Sequence, residues 1–317
     1  MFEKGMVILV IKFCNTTEFN INGDTAVVLG KFDGIHRGHQ KLLEEVKKYK
    51  KLGLKIAVFT FHMPISSFFT GVKGQVLTTN IEKEEYLADL GVHYLIEYPV
   101  NGETVVIEPE AFIKDVLVDK LHAKILVAGP DCSFGYKGRG NFALLKEYGK
   151  QLGFKAVMVD KVYYEEREIS STFVREEVEA GRMEMTSNLL GRPYSVSGKV
   201  MHGRKLGRQL NMPTVNLLPD EVKLLPPFGV YYSEVIVGTR RYDGISNIGR
   251  KPTISDSEKI SVETYLYDFS DDLYGEQIRV ELLSFARSEQ KFASVQELKE
   301  KLKEDLQKGE EFRLRKK

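Results

Sequence analysis

Between Met6 and Asp160 the chain alternates short, almost wholly apolar runs with amphipathic stretches of helical spacing, and few architectures tolerate that rhythm. The apolar runs are Met6–Lys12, Thr25–Gly30, Lys55–Phe61, Val92–Glu97, Lys124–Gly129 and Phe154–Val159. A strand buried on both faces needs no polar alternation, and parallel neighbours need a long crossover, so the pattern predicts a parallel sheet wrapped by helices. His39–Gly53, Ile81–Gly91 and Asn141–Gly153 supply helices, and each ends at a glycine, the residue that accepts a left-handed stop.

Past Asp160 the pattern changes. Short helices are predicted over Thr172–Ala180 and Met183–Leu190, stopped by Gly181 and Gly191. From Tyr194 to Phe285 the chain is rich in Val, Ile and Tyr, broken by Gly and Pro and without a long helical period, which predicts an all-β module. A last helix starts at Ser294, with Ser294 and Glu297 as a capping box and Val295, Leu298, Leu302 and Leu306 as one apolar stripe. A length of 317 residues suits two domains, which the change of pattern divides as 1–184 and 185–317.

Composition narrows the function classes. Hydrophobic residues make up 42% of the chain, enough to exclude disorder for its bulk. The 46 Lys and Arg against 45 Asp and Glu leave a net charge of +1, no field for gathering nucleic acid or anionic membrane. Cys14 and Cys132 are too few for a disulfide framework and lack the paired spacing of a zinc site, so each reads as a packed or idle thiol. Met6–Ile11, the longest apolar run, is far short of a membrane span, and a cytoplasmic protein is expected.

Two segments carry chemistry. The run Thr25–Gly30 passes through Phe32, Asp33 and Gly34 into a helix, placing His36 and His39 in a strand-to-helix turn. A helix N-terminus offers amide N–H groups and a positive dipole end to phosphate, and two imidazoles there can follow charge onto a phosphate as a bond breaks. Further on, Gly198, Gly203 and Gly207, with Lys199, His202, Lys205 and Arg208, describe a loop where backbone and cations both approach phosphates. It leads to Pro213 and Thr214, with Asn216 two residues on, so a hydroxyl and an amide oxygen emerge on one side of an extended segment. Both are hard oxygen ligands suited to Mg2+ bridging ATP phosphates.

Phe32–His39 resembles the His-x-Gly-His signature of the nucleotidylyl transferase superfamily, in the flavin adenylyltransferase form F-D-G-x-H-x-G-H. The second signature of that family, I-S-S-T-x-x-R, stands as Ile169, Ser170, Ser171, Thr172 and Arg175. The resemblance implies that His36, His39 and Arg175 are catalytic. It also implies that Gly30, Phe32, Asp33, Gly34, Ser170, Ser171 and Thr172 bind the nucleotide. Asp131 and Phe134 lie in a glycine-rich stretch similar to the one that helps bind adenosine and flavin, although Pro130 and Cys132 depart from it. A larger departure is Phe61–Ile65, which reads FHMPI where F-D-P-H-P is usual near the flavin.

The segment from Gly198 to Asn216 resembles the riboflavin kinase signature G-x-V-x-H-G-x-x-x-G-R-x-L-G-x-P-T-x-N, departing at Asn211, and the likeness extends over nearly all of residues 185–317. By it, Gly198, His202, Gly203, Gly207, Arg208 and Pro213 bind the nucleotide, Thr214 and Asn216 hold Mg2+, Glu263 is the general base, and Arg287 and Phe292 close over flavin. The fold implied is a Rossmann-like adenylyltransferase domain of α/β class followed by an all-β kinase barrel with a terminal helix. The activity implied is bifunctional: riboflavin is phosphorylated to FMN, and FMN is adenylylated to FAD with release of pyrophosphate. The Phe61–Ile65 departure keeps open a kinase with an altered FMN module. A flavin-sensing regulator that binds nucleic acid is a third reading, against which the neutral charge counts.

Overall fold

The computed structural model describes residues 10–201, 214–251 and 259–316. Contacts divide the chain into two units, Met1–Ser171 and Thr172–Lys317.

In the first unit the apolar runs become strands β1 (Ile11–Cys14), β2 (Thr25–Leu29), β3 (Lys55–Phe61), β4 (Tyr94–Tyr98), β5 (Ala123–Ala128) and β6 (Lys155–Met158). They form one six-stranded sheet in the order β1-β4-β3-β2-β5-β6, with every pairing parallel. The predicted helices appear as α1 (Arg37–Lys47), α3 (Asn80–Asp89) and α5 (Phe142–Leu152). Two more were not foreseen: α2 (Ile65–Thr70), and α4 (Pro109–Ala111), which continues as a π-helical stretch over Phe112–Lys120.

Alternation along β2 splits the core into two layers. Ala26 and Val28 pack with Leu43 and Val46 of α1 and Leu87 of α3 on one face. Val27 packs with Phe112, Leu117 and Leu145 on the other. Strand order reverses at β2, since the chain runs outward through β3 and β4 on one side and through β5 and β6 on the other. In an open parallel sheet the crevice outside the C-terminal strand ends at such a reversal is the place for a ligand. The segments that follow β2 and β5 are the histidine turn and the glycine-rich stretch.

A short hairpin, β7 (Tyr163–Tyr164) and β8 (Arg167–Glu168), precedes α6 (Ser171–Glu179), which straddles the division, and α7 (Met183–Leu190). The second unit is built on β9 (Tyr194–Lys199), β10 (Thr214–Leu217), β11 (Gly229–Val237), β12 (Arg240–Lys251), β13 (Lys259–Leu266) and β14 (Gln277–Ser288). These are ordered β10-β13-β12-β11-β14-β9 and all antiparallel. A bridge between Val200 and Leu217 joins the two edges and closes the barrel, and the Met201 amide donates to the Asn216 carbonyl at 2.7 Å. Closure needs a bare backbone at Gly198, where a Cβ would lie 2.4 Å from Leu217 Cδ1. Inside the barrel, Ser246 Oγ donates to Ser233 Oγ at 2.8 Å and lies 2.7 Å from Thr264 Oγ1, so these buried hydroxyls satisfy one another.

The final helix, α8 (Val295–Lys316), lies on the outside of this barrel. Phe312 stacks on Tyr232 with ring centroids 4.4 Å apart, and Tyr267 Oη donates to the Leu306 carbonyl at 2.6 Å. Leu298, Leu302 and Leu306 are half-buried as expected, but Val295 is 70% exposed and stands outside the stripe. The cap is also only half as expected. Ser294 Oγ accepts the Glu297 amide at 3.1 Å, whereas the Glu297 carboxylate accepts from Ala293 N–H rather than from Ser294.

Candidate active sites

The histidine turn is held by a strained backbone. Phe32, Gly34 and Ile35 take φ values of +50°, +86° and +43°. Glycine adopts this region freely, but Phe32 and Ile35 do so at a cost of about 1–3 kcal/mol each, offset by full burial of their side chains. The turn delivers His36 as the N-cap of α1, in an extended conformation and 6% exposed. Its ring stacks on His39 with centroids 3.8 Å apart, and Phe32 lies against the other side of His39 at 4.9 Å. The imidazoles are thus fixed relative to each other at a helix start, where the first-turn amides point outward.

Asp33 is a structural joint in this turn. Its Oδ1 accepts the amides of Leu77 at 2.7 Å and Thr78 at 3.2 Å. Its carbonyl accepts the hydroxyl of Ser171 at 2.8 Å. This last bond brings the start of the second signature onto the first, 138 residues earlier. Gly30 closes β2 beside the Phe32 ring, which a Cβ there would meet at 2.9 Å. Ser170 and Ser171 are half-buried and Thr172 exposed, with Arg175 half-buried one turn into α6.

After β5, Asp131 is exposed and paired with Lys161 at 3.0 Å, a residue that sequence reasoning passed over. Lys161 also holds Glu168 at 2.8 Å, so it spans two loops. Phe134 is buried in the core against Phe112, with ring centroids 5.5 Å apart. Burial, with the Asp131 charge adding to it, pushes the neighbouring Cys132 thiol up to about 11.

In the second unit the register brings together residues far apart in sequence. Asn216 on β10 lies directly opposite Glu263 on β13, and Asn247 on β12 flanks Glu263 from the other side. Thr214 is two residues from Asn216 and shares its face. Side chains directly opposite on antiparallel strands stand about 4.5–5.5 Å apart at Cβ, so an amide oxygen and a carboxylate share one small area. Asn216 is 8% exposed and Glu263 half-buried. Thr214 also lines a cavity of about 500 Å³ whose opposite wall is Phe269–Tyr274. Asn247 becomes visible as a neighbour only when the register is drawn. Arg287 grips Asp305 of α8 through contacts of 2.6 and 3.0 Å. His202, Gly203, Gly207, Arg208 and Pro213 lie outside the described residues.

The family model described as FAD synthetase matches residues 18–173, and that described as riboflavin kinase matches 190–313. The chain is 36% identical over 289 residues, 90% of its length and 92% of the relative's, to the bifunctional riboflavin kinase/FMN adenylyltransferase of Escherichia coli strain K12. It is 35% identical over 295 residues to the protein of that name from Listeria monocytogenes, covering 92% of this chain and 93% of the other. The chain belongs to the bifunctional riboflavin kinase/FMN adenylyltransferase family. A solved structure described as a macrolide-efflux protein from Streptococcus pneumoniae has the same fold, with a TM-score of 0.82, 31% identity and coverage of 95% of this chain and 98% of that one. Among the described residues, no helix is long and apolar enough to cross a membrane. The family's FAD synthetase and riboflavin kinase regions correspond to the parallel sheet and to the closed barrel.

Proposed function

We propose that the chain makes FAD in two ATP-dependent steps, with the kinase chemistry on the barrel and the adenylyl transfer at the histidine turn. In the first step Glu263 takes the proton from the terminal ribityl hydroxyl of riboflavin as that oxygen attacks the γ-phosphorus of ATP. Thr214 and Asn216 offer hard oxygen donors on one face beside that carboxylate, a set that fits Mg2+, which neutralises phosphate charge when bound. His202, Gly203, Gly207, Arg208 and Pro213, which lie outside the described residues, bind the phosphates together with Gly198.

In the second step the FMN phosphate attacks the α-phosphorus of a second ATP, and pyrophosphate leaves. His36 and His39 donate to the phosphates as charge develops, supported by the α1 N-terminus. Gly30, Phe32, Asp33 and Gly34 shape the turn, and Ser170, Ser171, Thr172 and Arg175 supply hydroxyls and a guanidinium fork to the leaving phosphates. Asp131 binds adenosine, Phe134 supports its loop from beneath, and Arg287 shapes the flavin side of the barrel. A cytoplasmic location fits these reactions.

The observation that carries this reading is the pairing of Glu263 with Asn216, which sets a carboxylate beside metal-type oxygen donors without a sequence motif linking them. Incubation with riboflavin and MgATP, followed by separation of the flavins, is expected to yield FMN and then FAD. Accumulation of FMN alone would confine the activity to the kinase, and no FMN would overturn the assignment.

A further inference from the structure

We propose that Cys14, His62 and Glu97 form a binding site for a borderline-soft divalent cation of the Zn2+ class, at the C-terminal edge of the parallel sheet. Cys14 ends β1, Glu97 lies near the end of β4, and His62 follows β3 directly, so three adjacent strands in the order β1-β4-β3 each contribute one donor. Their ligand atoms all lie within 4.8 Å of one another. Cys14 Sγ is 3.4 Å from His62 Nδ1, and His62 Nδ1 is 4.0 Å from Glu97 Oε2. A tetrahedral ion with bonds of about 2.0–2.3 Å separates its donors by roughly 3.3–3.8 Å, so one edge already fits and the others need only a small contraction.

Glu97 is the reason to look for a ligand. It is fully buried, and neither carboxylate oxygen has a hydrogen-bond partner among the described residues. A carboxylate so placed carries a large desolvation cost. Its charge is balanced by two ion pairs, with Lys83 at 3.5 Å from Oε1 and Lys12 at 3.3 Å from Oε2. Lys12 has a second partner in Glu84 at 3.0 Å. It can therefore yield Oε2 to a cation and keep an ion pair, while Lys83 remains on Oε1.

The donor set decides the class of ion. One sulfur, one imidazole nitrogen and one carboxylate oxygen suit Zn2+ and its neighbours, whereas Mg2+ and Ca2+ prefer oxygen throughout. Three protein donors leave a fourth position for water, and exposed Cys14 gives the route of entry. On binding, the Cys14 S–H bond breaks, the proton passes to solvent and the sulfur bonds the metal.

The test uses the full chain without nucleotide and with Mg2+ in excess, so that oxygen-only sites are occupied. Co2+ should bind at one equivalent and give the near-ultraviolet charge-transfer band of a cobalt–thiolate bond, which Zn2+ then abolishes. The band should persist in Cys132→Ser and vanish in Cys14→Ser, an exposed and nearly isosteric change. His62→Ala should weaken Co2+ binding by at least about tenfold. Absence of the band, its survival in Cys14→Ser, or Co2+ affinity unchanged in His62→Ala would each overturn the site.

Discussion

The two proposed nucleotide sites are built by opposite strategies. At the histidine turn the chain makes the site from consecutive residues, bending through three left-handed positions between Phe32 and Ile35 before entering α1. On the barrel no such bend exists among the described residues. The site there arises because β10 and β12 both pair with β13, which puts Asn216 and Asn247 on either side of Glu263. A turn fixes its side chains through backbone torsion, whereas a ladder fixes them through register, and a slip of one residue would move Glu263 to the barrel interior. The histidine turn of the first site is therefore concentrated in sequence and sensitive to local strain. The second is dispersed and as rigid as the sheet itself.

The strongest way to break this comparison is to remove one carboxylate from the ladder. Glu263→Gln keeps shape and register, so FMN formation should fall by about 100- to 10,000-fold, the usual range for a general base. FAD formation from supplied FMN should continue, because that reaction is the one proposed for the turn. Following both products by chromatography distinguishes the outcomes, and equal loss of both activities would mean that the sites do not work separately.

The reciprocal change comes next in size. His39→Ala removes the middle ring of the Phe32–His39–His36 stack, and adenylyl transfer should drop by about 100-fold, as expected when a donor to developing charge is lost. Kinase turnover should change little. The diagnostic measurement is kcat with FMN against kcat with riboflavin in the same preparation, since a fall in both would point to damage of the fold.

The same contrast governs what could be read without coordinates. The five runs from Thr25–Gly30 onward each yield a parallel strand, because a buried strand writes its character into consecutive residues, whereas Met6–Lys12 lies mostly outside the described residues and meets β1 only at Ile11 and Lys12. The end of α7 at Gly191 and of α5 at Gly153 also fall where the sequence places them. The stretch Phe112–Lys120 was passed over although Phe112, Ile113, Val116 and Leu117 are buried at the i, i+3 and i+4 spacings of a helix face, and its π-type bonding is written nowhere in that pattern. Helix α2 escaped because it is a single short turn behind Pro64, with Phe69 70% exposed and no apolar face turned inward. Both signatures of the histidine site were legible, but not the bond from Ser171 to Asp33 that joins them. Glu263 was reached by resemblance and its neighbour Asn247 not at all, since strand register is written nowhere in local sequence. Arg287 shows the converse: the resemblance implied a flavin contact, and the structure adds an ion pair with Asp305 that ties β14 to α8.

That ion pair offers a smaller effect confined to the ladder side. Asp305 is 7% exposed and takes two contacts from Arg287, so Asp305→Asn leaves a guanidinium poorly matched. Loss of hydrogen bonds to a charged group costs about 1.5–3 kcal/mol, seen as a lower urea midpoint for the kinase unit. Adenylyl transfer measured below that midpoint should be untouched. If both units lost stability together, α8 would be stabilising more than the barrel on which it lies.

The smallest effect is a matter of pH. Burial pushes the Glu234 carboxyl up, but the ion pairs with Lys316 and Arg241 outweigh burial and hold it below the ordinary carboxylate range. A carboxyl depressed in the folded state adds stability that is complete above the unfolded value of about 4.3, and this is lost as pH falls through the lower folded value. Arg241 also reaches Glu281 at 3.2 Å and is 58% exposed, so solvent screens much of its contribution. Arg241→Met should therefore lower barrel stability by only about 0.5–1 kcal/mol at neutral pH. The gap between variant and parent should narrow below about pH 4, where protonated Glu234 no longer attracts the guanidinium. Thermal melting from pH 7 to pH 3, followed by tyrosine signals for the whole chain and by flavin binding for each unit, checks the sign. A gap that stays unchanged on acidification would mean that Arg241 acts through packing of its aliphatic stem along β12, and not through its charge.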